Sequence, residues 1–259
     1  MRAVIYCAAH AGFPDSEPLG GGKAVADYLC RAQPEWTVLS PAAVGMTGLR
    51  LTEWGEWRYA RFCRQFERAV TRRVLAQEPT GCVVLVNDIS EGPDFAALGR
   101  RGYRVVTIFH VDVVEYFTKF YLRGWVRPEW AARHLPWPGL VFQKQRDAVR
   151  WSRRLVVPSA PMKEMILRCY PECAAEKIVV LPWGNIAAPV APGRALSPVG
   201  AEEVVIMTLS RLSPEKGIER LLRVLPMVTG NYRVWICGAA AYMGGRRYER
   251  KLRRLANER

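Results

Sequence analysis

Residues 82–110 read CVVLVNDISEGPDFAALGRRGYRVVTIFH. The β-branched run CVVLVND at 82–88 is apolar nearly throughout, the pattern of a strand in a parallel sheet covered on both faces. DFAALGRRG at 94–102 carries a helical signal, and RVVTIFH at 104–110 is a second buried strand. Strand, helix and strand in so short a span predict a parallel α/β layer.

The same alternation extends in both directions. Residues 3–9 (AVIYCAA) form an apolar run, a loop of Gly, Pro and Asp leads to Gly20, Gly21 and Gly22, and KAVADYLCRA follows as a helix. TVLS at 37–40 reads as a short strand. After a Trp-rich stretch at 125–151 come the strand RLVVPS at 154–159, the helix MKEMILRCY and the strand KIVVLPWG at 177–184. Residues 186–200, IAAPVAPGRALSPVG, lack periodicity and read as a linker. Beyond it EVVIMTLS and YRVWICG read as strands, and GIERLLRVLPMV and GGRRYERKLRRLANER as helices. The expected organisation is two Rossmann-like domains with parallel sheets, at 1–185 and 201–259. A two-stranded parallel sheet is a poor core by itself, so the second domain is expected to be incomplete, with an exposed edge.

Composition narrows the class. Half of the residues are hydrophobic (50%) and no low-complexity tract occurs, which describes a globular chain. The net charge of +14 comes mostly from Arg spread over several segments. It favours an anionic partner, but no nucleic-acid module is present, so nucleic acid is not expected. The 7 cysteines show no zinc spacing and read as reduced thiols. The first residues lack the layout of a signal peptide and no run is long enough to span a membrane, so a cytoplasmic location is expected.

Residues 51–77, LTEWGEWRYARFCRQFERAVTRRVLAQ, read as one helix with Trp54, Trp57, Phe62 and Phe66 among Arg58, Arg61, Arg64, Arg68, Arg72 and Arg73. Such a helix can lie on an anionic membrane, as a peripheral protein with a lipid-linked acceptor would require. It can equally bury its aromatics in its own domain and turn Arg to water. Glu53, Glu56 and Glu67 interrupt the positive face and favour the second reading.

The segment Thr208–Gly217, TLSRLSPEKG, concentrates chemistry. A strand ends, Arg211 and Lys216 occupy the loop, and a helix begins near Gly217. Ligands of open α/β sheets bind outside the carboxyl ends of the strands. Two cations beside a helix start there suit a diphosphate. The plainer reading is two surface cations around a helix started by Ser213 and Pro214.

TLSRLSPEKGIERLL resembles the R-L-x-x-x-K-G segment of family-4 glycosyltransferases, which have the GT-B fold. LGGGKAVADYL, TIFHVDVVEYF, RLVVPSAPMKEMI and KIVVLPWGN resemble further elements of that family in the same order. The resemblance implies transfer of a hexosyl group from a nucleotide sugar to a glycan, lipid-linked or small-molecule acceptor, with retention and without a metal or other cofactor. Arg211 and Lys216 would bind the donor diphosphate and stabilise the leaving group. Gly20, Gly21 and Gly22 would admit the donor close to the backbone, and His110 would lie near the transferred sugar. His10 and His134 have no comparable setting.

The sequence departs from the family in three respects. Ser210 stands where Gly is common before the Arg, ICGAAAYMGG lacks the usual G-x-G, and the family's paired glutamates are not found in the second half. A chain cut short, a second polypeptide completing the fold, or a non-catalytic protein binding the sugar nucleotide or acceptor would each account for this.

Overall fold

The apolar runs pair as parallel strands. The structure, a computed structural model, describes residues 3–14, 19–135, 139–184, 200, 202–240 and 245–258. It contains two compact units, one of Met1–Phe13, Gly21–Leu49 and Ala60–Asn185, the other of Pro14–Gly20, Arg50–Tyr59 and Ile186–Arg259.

In the first unit β1 (Ala3–Cys7), β2 (Thr37–Leu39), β3 (Cys82–Val86), β4 (Arg104–Ile108), β5 (Arg154–Val157) and β6 (Ile178–Val180) form a six-stranded parallel sheet in the order β2-β1-β3-β4-β5-β6. Val84 pairs with Ile5 on one side and Val105 on the other, and all three are buried. The helices α1 (Gly21–Ala32), α2 (Glu56–Leu75), α3 (Phe95–Arg100), α4 (Val113–Phe120), α5 (Pro128–His134), α6 (Gly139–Trp151) and α7 (Ala160–Cys169) connect the strands. Asp94, Asp112 and Ser159 cap α3, α4 and α7 through side-chain oxygens that accept backbone N–H groups. The strand read at 177–184 is shorter than expected, since regular pairing ends at Val180.

The helix expected over 51–77 is divided. A 3-10 turn covers Leu51–Glu53, Trp54 is extended, and α2 starts only at Glu56, after Gly55. Trp54 is buried while Trp57 is 81% exposed, an arrangement that one continuous helix would not give with the two side chains so close in sequence. Along α2, Phe62, Phe66, Val70 and Val74 are buried at helical spacing and all of its arginines are exposed. That is the packed amphipathic helix. Arg58 lies 4.5 Å over the Trp54 ring.

In the second unit β7 (Val204–Leu209) and β8 (Tyr232–Cys237) pair in parallel over their full length. With α8 (Ile218–Val224) and α9 (Gly245–Asn257) they enclose a core of Leu212, Ile218, Leu222, Leu225, Tyr248 and Leu252. The helix read over GIERLLRVLPMV ends at Val224 and tightens into a 3-10 turn at Leu225–Met227, because Pro226 has no N–H to continue the ladder. Val204, Met207 and Leu209 remain exposed on β7. The stretch read as a linker, 186–200, lies outside the described residues except for Gly200.

Helix α3 rests on α6 through a residue without a side chain. A Cβ at Gly99 would lie 2.4 Å from Trp151 Cε3 and 2.9 Å from Trp151 Cβ, so the ring cannot swing away cheaply. Gly99→Ala is expected to destabilise the chain by about 1–2 kcal/mol, the overpacking cost outweighing the helix propensity of Ala. A urea titration against the parent chain measures it, and an equal or more stable variant would show that the α3–α6 contact has slack.

Candidate functional site

The strand order reverses direction around β1 and β3, so the crevice of this sheet opens outside the carboxyl ends of those two strands. Polar side chains gather there. Asn87, one residue beyond β3, is buried, and its Oδ1 accepts a hydrogen bond from Tyr6 Oη at 2.7 Å. Its Nδ2 donates to the carbonyl of Gly22 at 2.9 Å. His110 Nε2 lies 3.3 Å from the same Oδ1. That oxygen can only accept, so the neutral imidazole carries its proton on Nε2 and leaves Nδ1 as an acceptor.

His110 follows β4, and its ring packs on Trp183 at 5.5 Å between centroids. Burial, and then the neighbouring His10, push its pKa down to about 4, so the ring is neutral at physiological pH. His10 itself is buried, 3.9 Å from Glu91. His10, which has no setting in the sequence comparable to that of His110, thus lies beside it in the fold. A Cβ at Gly22 would meet His10 Nδ1 at 3.7 Å, His110 Cδ2 at 3.8 Å and Asp88 Oδ2 at 3.9 Å. Gly22 thus forms part of the wall between these groups. Gly21 has nothing within that range, and Gly20 adopts a φ of +86° that favours glycine.

Asp88 and Glu91 stand in the turn after β3. Burial, and then the charge of Glu91, hold the Asp88 carboxyl well above the usual carboxylate range, although its Oδ1 accepts the Ile89 N–H at 2.6 Å. Lys144 fixes this turn from beneath. Its Nζ donates to the carbonyls of Gly92 at 2.6 Å and Ser90 at 3.2 Å and pairs with Glu67 at 2.5 Å. The start of α4 is fixed in the same way: Gln145, fully buried, accepts the Val113 N–H at 2.7 Å and donates to Asp112 at 3.1 Å.

Of the residues expected from sequence, Gly22 and His110 meet in this cluster. Sequence reasoning missed His10, Asn87, Asp88 and Glu91. The available signal was polar residues at the carboxyl end of an apolar strand, as in CVVLVND. Among the described residues no group of three or more His, Cys, Asp or Glu side chains is placed to hold a metal ion.

Arg211 and Lys216 belong to the second unit. Gly238, with a φ of +148°, allows the chain ends of β7 and β8 to touch: a Cβ there would lie 1.8 Å from the Ser210 carbonyl oxygen. The Leu212 N–H donates to the carbonyl of Ala239 at 2.8 Å. Arg211 is thereby held on a pinned loop, where it pairs with Glu215 at 3.6 Å and its side chain stands beside Gly20. Lys216 is exposed at the end of a 3-10 turn, Pro214–Lys216. Ser213 does not cap that turn, since its Oγ bonds Glu215 instead.

No family model matches the sequence, and no curated protein matches it. Solved structures do. HepE from Anabaena in complex with UDP has a TM-score of 0.56 at 14% identity, over 100% of this chain and 66% of HepE. HepE with UDP and glucose gives 0.54 at the same identity and coverage. The lipopolysaccharide outer core galactosyltransferase WaaB in its apo form is more distant, with a TM-score of 0.41 at 13% identity over 99% of this chain and 66% of WaaB. The chain has the GT-B glycosyltransferase fold, as the order of its motifs implied, and spans just under two thirds of HepE.

Asp88 and His110 act on stability with opposite signs. Asp88 binds its proton more tightly folded than unfolded, so its contribution is present at low pH and is lost as pH rises through its folded pKa. His110 resists protonation when folded, so its stabilising effect is complete above 6.5 and is lost as pH falls toward 4. Asp88→Asn, which keeps an oxygen for the Ile89 N–H, is expected to raise the melting temperature at pH 8 and to gain less at pH 5. A constant gain across that range would place Asp88 outside the titrating cluster. The ring carbons of His110, followed by NMR, are expected to titrate near 4.

Proposed function

We propose that this chain acts in glycosyl transfer from a nucleotide-sugar donor, of which a UDP-hexose is the first candidate. The observation that carries this reading is the cluster of His110 and Gly22 around buried Asn87 at the switch point of a sheet with the GT-B fold. HepE, with the same fold, was crystallised with UDP and glucose, which supports a uridine nucleotide and a hexose.

In this reading Arg211 and Lys216 bind the donor diphosphate. Breaking the bond between sugar and nucleotide builds negative charge on the bridging oxygen, and fixed cations lower that barrier without moving. Arg211 is suited to grip two phosphate oxygens, and a bound diphosphate would compete with Glu215 for it. Lys216, on a longer and freer stem, would follow the developing charge. Neutral His110 would offer Nδ1 as an acceptor to a sugar hydroxyl, orienting the sugar rather than supplying charge. Retention and a lipid-linked or glycan acceptor follow from the family resemblance and belong to the same proposal.

Calorimetric titration of the 259-residue chain with UDP-, GDP- and ADP-sugars, followed by assay of donor hydrolysis, tests the proposal. Arg211→Ala and Lys216→Ala are each expected to weaken donor binding by roughly 10–100-fold, the loss of a charge-assisted contact of about 1.5–3 kcal/mol. Binding without turnover would point to a non-catalytic sugar-nucleotide binder. Absence of binding by any sugar nucleotide to the folded chain, or binding indifferent to both substitutions, would overturn the assignment.

A further inference from the structure

The first unit exposes aromatic side chains at one turn. Between the end of α4 and the start of α5, Trp125 is 88% exposed, Tyr121 55% and Phe120 41%, with Trp130 on α5 at 50%. The Phe120 and Tyr121 rings are held from below. Phe117 packs edge-on against buried Phe142 at 5.4 Å, Tyr121 stacks on Phe117 at 5.1 Å, and Phe120 lies 4.7 Å from Tyr116. The backbone is equally fixed. Arg123, with a φ of 52°, is the one non-glycine residue in the left-handed region among those described, and Gly124 follows at 76°. The N–H groups of Gly124 and Trp125 donate to the carbonyls of Thr118 and Leu122, each at 2.9 Å. Two left-handed residues in succession turn the chain sharply at the point where Trp125 projects.

The charge of this turn is of one sign. Lys119, Arg123 and Arg127 are exposed, and no acidic residue occurs from Lys119 to Pro128. The flanking Glu129 is engaged by Arg168 at 2.9 Å. Outward-facing Trp, Tyr and Phe interleaved with Lys and Arg are what the headgroup layer of a bilayer accommodates: the rings enter at the acyl boundary and the cations meet the phosphates. A tip with a ring as exposed as Trp125 suits a fluid surface that closes around it.

We propose that residues 119–130 form a docking tip for an anionic lipid bilayer. This surface is distinct from the arginine face of α2, whose aromatics other than Trp57 are buried. Helix α4, eight residues or about 12 Å long, leads from His110 and Asp112 to the tip, so docking would hold the candidate site about one short helix from the lipid surface. Docking itself requires no transferase activity.

Co-sedimentation of the full chain with vesicles tests this. Binding is expected to vesicles of equal parts phosphatidylglycerol and phosphatidylcholine, and not to phosphatidylcholine alone. The triple variant Phe120→Ser, Tyr121→Ser, Trp125→Ser and the double variant Arg123→Glu, Arg127→Glu should each lose roughly tenfold or more of the binding with melting temperatures unchanged, whereas Arg61→Glu, Arg64→Glu on α2 should retain most of it. Failure of the folded chain to bind anionic vesicles overturns the proposal, as does loss of binding only in the α2 variant. A solution dimer that the triple variant dissociates, without effect on vesicle binding, would assign the tip to a second copy instead. Donor titration of the same variants keeps the outcome separate from the transferase reading, since donor binding is expected to be untouched by all three.

Discussion

The first unit turns on one buried amide. Asn87 joins β1 through Tyr6, the start of α1 through the Gly22 carbonyl, and the loop after β4 through His110. A buried amide is costly unless its donors and acceptors are used, and here both ends of the group are engaged. The same bonds that lower that cost determine which way the His110 ring faces and which of its nitrogens carries the proton. Stability and site geometry are set by one side chain, so the amide tolerates little variation. A carboxylate in its place could not donate to Gly22, and an aliphatic residue would leave Tyr6 Oη buried without its acceptor.

The lower layer of support is built the same way. Lys144, reaching up from α6, satisfies the Ser90 and Gly92 carbonyls that the turn after β3 leaves free, and Gln145 does likewise for the Val113 N–H at the start of α4. Adjacent residues on one helix thus brace the two turns that carry the cluster. Under the proposed function, fixed dipoles there would need no reorganisation when charge develops. A brace beneath them is what keeps them fixed.

Much of the fold was legible because parallel strands buried on both faces write themselves as apolar runs. CVVLVND, RVVTIFH and RLVVPS each contain a strand of the sheet. What the runs do not encode is their order in space. His10, Asn87 and His110 are far apart in the chain and become neighbours only because β1 sits between β2 and β3, with β4 next to β3. His10 therefore looked incidental, whereas His110, at the end of an obvious strand, did not. The divided helix at 51–75 was lost for a different reason. Its apolar spacing suits a helix throughout, and only the extended backbone of Trp54, tied to burial of that ring, reveals the break before Gly55. Tertiary packing overrode local periodicity there.

The net charge of +14 also takes on meaning only with the structure. Around Asn87, burial lowers the pKa of His110 and raises that of Asp88, so both of these groups favour their uncharged forms. The second unit presents Arg211 on a loop that Gly238 and the Leu212–Ala239 bond hold in place. The remaining excess of arginine lies on outward surfaces, on α2, on the turn at 119–127 and on α9. On α9 several arginines and a lysine are met by acids, with Lys251 to Glu219 at 2.5 Å and Arg253 to Glu249 at 2.7 Å. The turn at 119–127 has no acid within it, and there the cations stand among several exposed aromatic rings. Under the proposed function Arg211 would meet the donor phosphates from a fixed loop, whereas the cations of the turn at 119–127 would face the anionic layer inferred for it.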